Sequence, residues 1–190
     1  MTLLRSTPAE PIARQRRSTQ SLRGFAEALN AESDHACAIL AGACLDAALV
    51  ELCRAHMIAR APGSLFEGAG PLATFAAKIE AAYALGWLSG SERRDLHVVR
   101  EVAAAFAADV RHEIDFTSPA VRARCEQCEL ANAFLVEAGL PDTMFAPEML
   151  RELRTTARPR FELTIGFLRQ AVIHRTEQAT RAVVLPERDA

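Results

Sequence analysis

Apolar residues recur along this chain at intervals of three and four, and no run alternates strictly between apolar and polar over the length of a strand. From Glu32 to about Ala59 the set Cys37, Leu40, Ala41, Cys44, Leu45, Ala48, Leu49, Leu52 and Cys53 follows i, i+3, i+4, i+7 spacing and predicts one long helix, ended by Pro62 and Gly63. A shorter helix precedes it, starting near Ser18 or Ser21 and carrying Leu22, Phe25, Ala26 and Leu29. Leu65 to Pro71 reads as a loop whose two glycines permit backbone angles that other residues resist. A third helix runs from Leu72 to Leu85 and stops at Gly86. Ser89 and Ser91 are candidate N-caps for a fourth, reaching about Val110. Ser118-Pro119 opens a fifth, to about Glu137, before Gly139 and Pro141. A short turn from Glu148 to Arg154 follows. Pro159 then opens a last helix through Phe161, Ile165, Phe167, Leu168 and Val172 to about Arg181. The pattern predicts an all-α, single-domain bundle of about six helices with short loops. A flexible basic arm occupies residues 1–17, the helical domain 18–182 and a tail 183–190.

Composition strengthens the helical reading. Alanine supplies 37 of 190 residues and is the best helix former, while aromatic residues make up only 6%. The net charge of −2 hides an asymmetry: residues 1–24 carry +4, residues 25–150 carry −9 and residues 151–190 carry +3. An acidic body is a poor binder of duplex nucleic acid, so direct contact would fall to the arm through Arg14, Arg16 and Arg17. No uncharged apolar run of about 18 residues stands out, so no membrane span is expected. Five cysteines at irregular spacing suit a reducing cytoplasm.

The candidate chemistry is sparse. Cys125-Glu-Gln-Cys128 is a lone C-x-x-C inside a helix, read as buried small hydrophobes ahead of a redox pair or a zinc site. His97 and Glu101 stand four apart and are read as ordinary surface residues. Arg169 and His174 form an Arg-x4-His pair, but five residues turn a helix by about 140°, so the two do not share a face. The third and fourth helices superficially suggest a helix-turn-helix. Their connection is long, and the would-be reading helix begins Glu92-Arg93-Arg94-Asp95, with acids that phosphates repel. Lys78 is the one lysine beside 21 arginines, which suits a specific partner or a buried carboxylate.

Several patterns occur in a fixed order: F-x-G-x-G-P-L at Phe66 to Leu72, F-x-x-K-I at Phe75 to Ile79 and A-Y-A-L-G at Ala82 to Gly86. L-S-x-x-E at Leu88 to Glu92 and D-L-x-x-x-R at Asp95 to Arg100 follow them. With the upstream Leu29 to Asp34 and the closing Pro159-Arg160-Phe161 helix, this order resembles the mannitol operon repressor family, over about residues 28 to 180. The resemblance implies an all-helical, non-enzymatic cytoplasmic regulator without a recognisable DNA-binding domain. Such a protein lowers expression of a sugar-alcohol operon by contacting a transcription factor or transporter component, here as a homodimer. It implies no catalytic, cofactor or metal residues, and it makes Phe66, Gly68, Gly70, Pro71, Lys78, Tyr83 and Arg100 the candidate partner-binding set. The chain departs from the family pattern I-R-x-I-R-N-x-F-A-H, keeping Arg100 and Phe106 but placing Ala103, Ala104 and Ala108 at its second Arg, Asn and His. The second expectation is a helical RNA-processing or toxin–antitoxin-like domain, catalytically inactive because alanine offers no ionisable group to shuttle a proton.

Overall fold

The computed structural model describes residues 27–57, 62–138 and 146–184, the side chains of the last two excepted. The arm at 1–17, most of the expected first helix and the end of the tail lie outside these residues. Among the described residues there is no strand, and the protein is all-α.

Among the described residues seven α-helices lie wholly within view: α1 (Asp34–Ala55), α2 (Phe75–Ala84), α3 (Gly90–Ala108), α4 (Pro119–Cys125), α5 (Glu129–Glu137), α6 (Pro147–Thr155) and α7 (Ala157–Val184). A helical turn at 27–31 precedes them, and a 3-10 turn (Gly63–Leu65) lies between α1 and α2. The count differs from six in two places. The expected fifth helix breaks at Cys125 to Cys128 into α4 and α5, and the expected short turn after it is the full helix α6. The two breaks have different causes, one distant in sequence and one local. Asp95, from α3, accepts from the Glu129 and Leu130 N–H groups at 2.8 and 2.9 Å, and so caps a new helix start from outside. Extended Thr156 separates α6 from α7.

Capping chemistry fixes the other starts. Ser33 caps α1 and Thr74 caps α2, which starts at Phe75, three residues after the expected Leu72. Ser89 rather than Ser91 opens α3, with a reciprocal capping box to Glu92.

Helix α1 is the hub, packed against α7, α3 and α2. It is long and apolar enough to cross a membrane by length and composition, which the sequence reading did not single out; here 44% of its apolar stretch is buried as a core helix. Gly42 of α1 meets α3 so closely that a Cβ there would stand 2.7 Å from the Ala103 Cβ. Phe106, Phe116 and Phe161 stack in series at 5.2 and 5.1 Å, joining α3, the α3–α4 loop and α7. A smaller cluster of Leu135, Ala138, Leu150 and Leu153 seats α6 against α5.

Polar contacts between distant parts of the chain lock this packing. Arg158 at the start of α7 reaches Asp34 at 2.7 Å and Glu162 at 2.9 Å, and donates to the carbonyls of Leu29, Asn30 and Glu32. The N-terminal turn at 27–31 is therefore held by the last helix. Arg175 donates to both oxygens of the buried Glu92, at 2.8 and 3.0 Å. Burial raises the Glu92 carboxyl, but these bonds and those from Ser89 outweigh it and hold the group below its ordinary value. Burial pushes the Asp95 carboxyl up, against the two N–H groups it caps.

Candidate functional site

The candidate partner-binding residues divide into two places. Phe66, Gly68, Gly70, Pro71 and Lys78 build one structural unit. In the loop, Leu72 N–H donates to Leu65 O at 2.9 Å, and Gly70 N–H donates to Glu67 O at 2.9 Å. Gly68 has φ of 57°, a left-handed angle that favours glycine. At Gly70 a Cβ would stand 2.1 Å from the Ser64 carbonyl oxygen, so no side chain fits. Pro71 is exposed, and the half-buried Phe66 lies under the Arg54 guanidinium at 5.4 Å.

Lys78 closes the unit from beneath. Only 2% exposed, it places Nζ 2.9 Å from Asp46 Oδ1 of α1 and donates to Leu72 O and Ala73 O at 3.3 and 3.4 Å. The structure places the lone lysine on a carboxylate, but the buried member of the pair is Lys78, while the Asp46 side chain is 35% exposed. The Lys78 ammonium joins the loop exit to the central helix and does not face solvent.

Tyr83 and Arg100 belong instead to an exposed belt across α2 and α3. On α3, Arg93, His97, Arg100 and Glu101 stand at i, i+4, i+7 and i+8 and share one face. Opposite them on α2 are Glu80 and Tyr83. Arg93 grips both Glu80 oxygens through Nε and Nη2, at 2.9 to 3.1 Å, and sits over the Tyr83 ring at 5.0 Å. His97 Nε2 lies 2.7 Å from Glu80 Oε1, and Arg100 Nε donates to His97 Nδ1 at 3.3 Å. Arg100 also donates to Glu101 at 3.3 Å, and Arg124 of α4 approaches Glu101 at 3.7 Å. The hydrogen bonds from Arg93 and then His97 hold the Glu80 carboxyl below its ordinary range. At one end Leu85 leaves 59% of its surface in solvent.

Glu80, Arg93, His97 and Leu85 were not in the sequence-derived set. Their signal lies in pairing between helices, across 13 and 17 residues of sequence, which spacing on one helix does not show. The belt continues along α3 into exposed Ala104 and Ala108, whereas Ala103 turns inward against Gly42. The three alanines at the resembled family's polar positions thus divide into one packing residue and two that lie on the belt.

The belt's cations lie against neighbouring carboxylates, so it offers alternating charge and an aromatic rather than a cradle for phosphate. At the start of α3 the acids expected to repel phosphate are not on the surface. Glu92 and Asp95 face inward, and Arg94 is held by Glu129 at 2.7 Å.

Other groups of chemical interest lie elsewhere. Cys125 ends α4 and Cys128 precedes α5; both are buried, and burial pushes each thiol up to about 12, which suppresses the thiolate that redox chemistry needs. Among the described residues no group of three or more His, Cys, Asp and Glu side chains could hold a metal ion. On α7, His174 Nε2 lies 2.8 Å from Gln178, while Arg169 is half-buried. No protein family, no curated protein and no solved structure matches the chain.

Proposed function

We propose that this chain is a cytoplasmic transcriptional regulator, a repressor or co-repressor of a sugar or polyol utilisation operon. It works as a homodimer and by protein contact rather than catalysis. The operon and the mode of action come from the resemblance carried by the motifs between Phe66 and Arg100. The observation that most supports protein contact is the partly exposed belt of Glu80, Tyr83, Arg93, His97 and Arg100, with exposed Leu85 at the end of the same helix as Tyr83. Tyr and Arg are the residues most enriched where protein interfaces concentrate their binding energy. The docked partner is a transcription factor or transporter component with complementary charge. The loop from Phe66 to Pro71 and Lys78 supports this surface from within by fixing α2 to α1.

Co-purification from native lysate at low salt tests the reading, with the wild type beside Tyr83→Ala and Arg100→Glu. The wild type should retain a transcription factor or transporter component that both variants lose. Recovery of no partner by the wild type, or equal recovery by all three, would overturn it. Any DNA contact falls to Arg14, Arg16 and Arg17. A DNA complex that weakens with salt and disappears on deletion of residues 1–17 would replace partner docking with direct binding.

A further inference from the structure

The outer face of α1 carries the spacing of a helix–helix seam with no second helix on it among the described residues. The inward face of α1, including Cys37, Ala41, Leu45, Leu49 and Leu52, is buried against α2, α3 and α7. The opposite face carries Ala36, Leu40, Ala43, Ala47, Val50 and Arg54, at successive spacings of four, three, four, three and four. This is a 3.5-residue repeat, the signature of a coiled-coil seam, and it is narrower than the face a helix turns to a globular core. From Ala36 to Val50 the seam positions are apolar, with exposed Ile39 flanking them on one side and exposed Glu51 on the other. Leu40 is 48% exposed and its neighbour Ile39 40%, while Ala43 and Ala47 between them let another backbone approach closely.

The charges at the two ends indicate which helix fits. Exposed Glu32 lies just before the N-terminus of α1, and exposed Arg54 lies in its last turn. A parallel copy would set Glu32 against Glu32 and Arg54 against Arg54. An antiparallel copy, related by a two-fold axis between Ala43 and Ala47, brings Arg54 toward the acidic N-terminal end of the other helix and Leu40 against Val50. It also opposes the two helix dipoles.

We propose that this face of α1 is where two copies of the chain meet, as an antiparallel helix pair with Ala43 and Ala47 at the crossing and Leu40 packed on Val50. The assignment takes the homodimer of the proposed regulator as its premise and gives it a surface, one that leaves the belt on α2 and α3 free for a partner. A 22-residue helix pair buries on the order of 1,000 Å² in total, which belongs to weak, concentration-dependent association.

Sedimentation velocity of the full chain, over roughly 1 to 300 μM, brackets an interface of that size. The wild type should move from monomer to dimer across the range, and Leu40→Glu should weaken the dimer at least about tenfold while the helical circular dichroism stays unchanged. Arg54→Glu and Glu32→Arg should each weaken it, and the double exchange should restore it. Glu32 and Arg54 are exposed, and because Arg54 also lies over Phe66, restoration by the double exchange rather than the loss in Arg54→Glu alone decides the register if Leu40→Glu folds poorly. A wild type that stays monomeric throughout overturns both the dimer and its surface. A dimer indifferent to Leu40→Glu overturns the surface alone, and failure of the double exchange to restore association overturns the antiparallel register. A chain that dimerises only after removal of residues 1–26 would assign the face to that segment instead. None of these results touches the partner-capture test, which reads the belt.

Discussion

Removing Asp46 and removing Lys78 should have unequal consequences, because the two members of the pair are unequally buried. Lys78 is 2% exposed and Asp46 35%, with 2.9 Å between charges. Asp46→Ala leaves an ammonium inside the protein with only two longer carbonyl contacts, at 3.3 and 3.4 Å. Breaking a buried ion pair by deleting one partner costs about 3–5 kcal/mol. Because Asp46 already reaches water, which screens the pair, the cost falls to the lower limit of that range or just below it, about 2–3 kcal/mol. Lys78→Met removes the buried charge together with its need for a partner and fills most of the same volume. The carboxylate left behind can hydrate, and the loss is the two carbonyl bonds, about 1–2 kcal/mol. The double variant should therefore match Lys78→Met rather than the sum of the singles, with a coupling above about 1 kcal/mol. Urea unfolding followed by circular dichroism, with all four proteins side by side, measures the cycle. If Lys78→Met is the more damaging single change, or if the two losses add, the ammonium is not held as a buried charge and the account of the loop anchor fails.

Three further outcomes follow from other contacts. Gly42→Ala must push α1 and α3 apart, since its methyl would stand 2.7 Å from the Ala103 Cβ, and should cost about 1–3 kcal/mol; unchanged urea stability would show that the helices do not approach as described. Glu92 is held below its ordinary value of 4.5 in the folded protein, so its stabilisation is complete above pH 4.5 and is lost as the pH falls through the folded value. Glu92→Gln should be less stable at neutral pH and lose less on acidification to about pH 3; parallel stability curves for the two proteins would refute the Glu92–Arg175 assignment. Native thiol labelling should modify the half-buried Cys44 first. Cys37, Cys125 and Cys128, pushed up to about 12 and buried, should wait for unfolding, and fast reaction of either Cys125 or Cys128 would contradict their placement.

Local signals predicted the helices well where the deciding interaction was itself local. The 3.6-residue pattern of α1 and the Ser89-x-x-Glu92 box of α3 depend on residues within a turn or two of one another. The break between α4 and α5 was hidden because no glycine or proline marks Cys125 to Cys128; its cause is a carboxylate 34 residues upstream. The same limit governs the candidate site. Lys78 stood out by composition, but its partner is on another helix, and the choice between solvent and carboxylate needed the packing. Glu80, Arg93 and His97 look like routine surface charges on single helices. Their arrangement appears only when α2 lies beside α3.

The Arg158 clamp and the long α1–α7 contact also bear on how the chain comes into being. Synthesis proceeds from the N-terminus, so α1 is made more than a hundred residues before the helix that covers one side of it. Until residues 157–184 leave the ribosome, that apolar side has no native cover, and the carbonyls of Leu29, Asn30 and Glu32 lack their guanidinium donor. Completion of the fold thus waits for synthesis of residues 157–184. A message truncated before Arg158 would yield a chain whose central apolar helix remains open to chaperones and proteases.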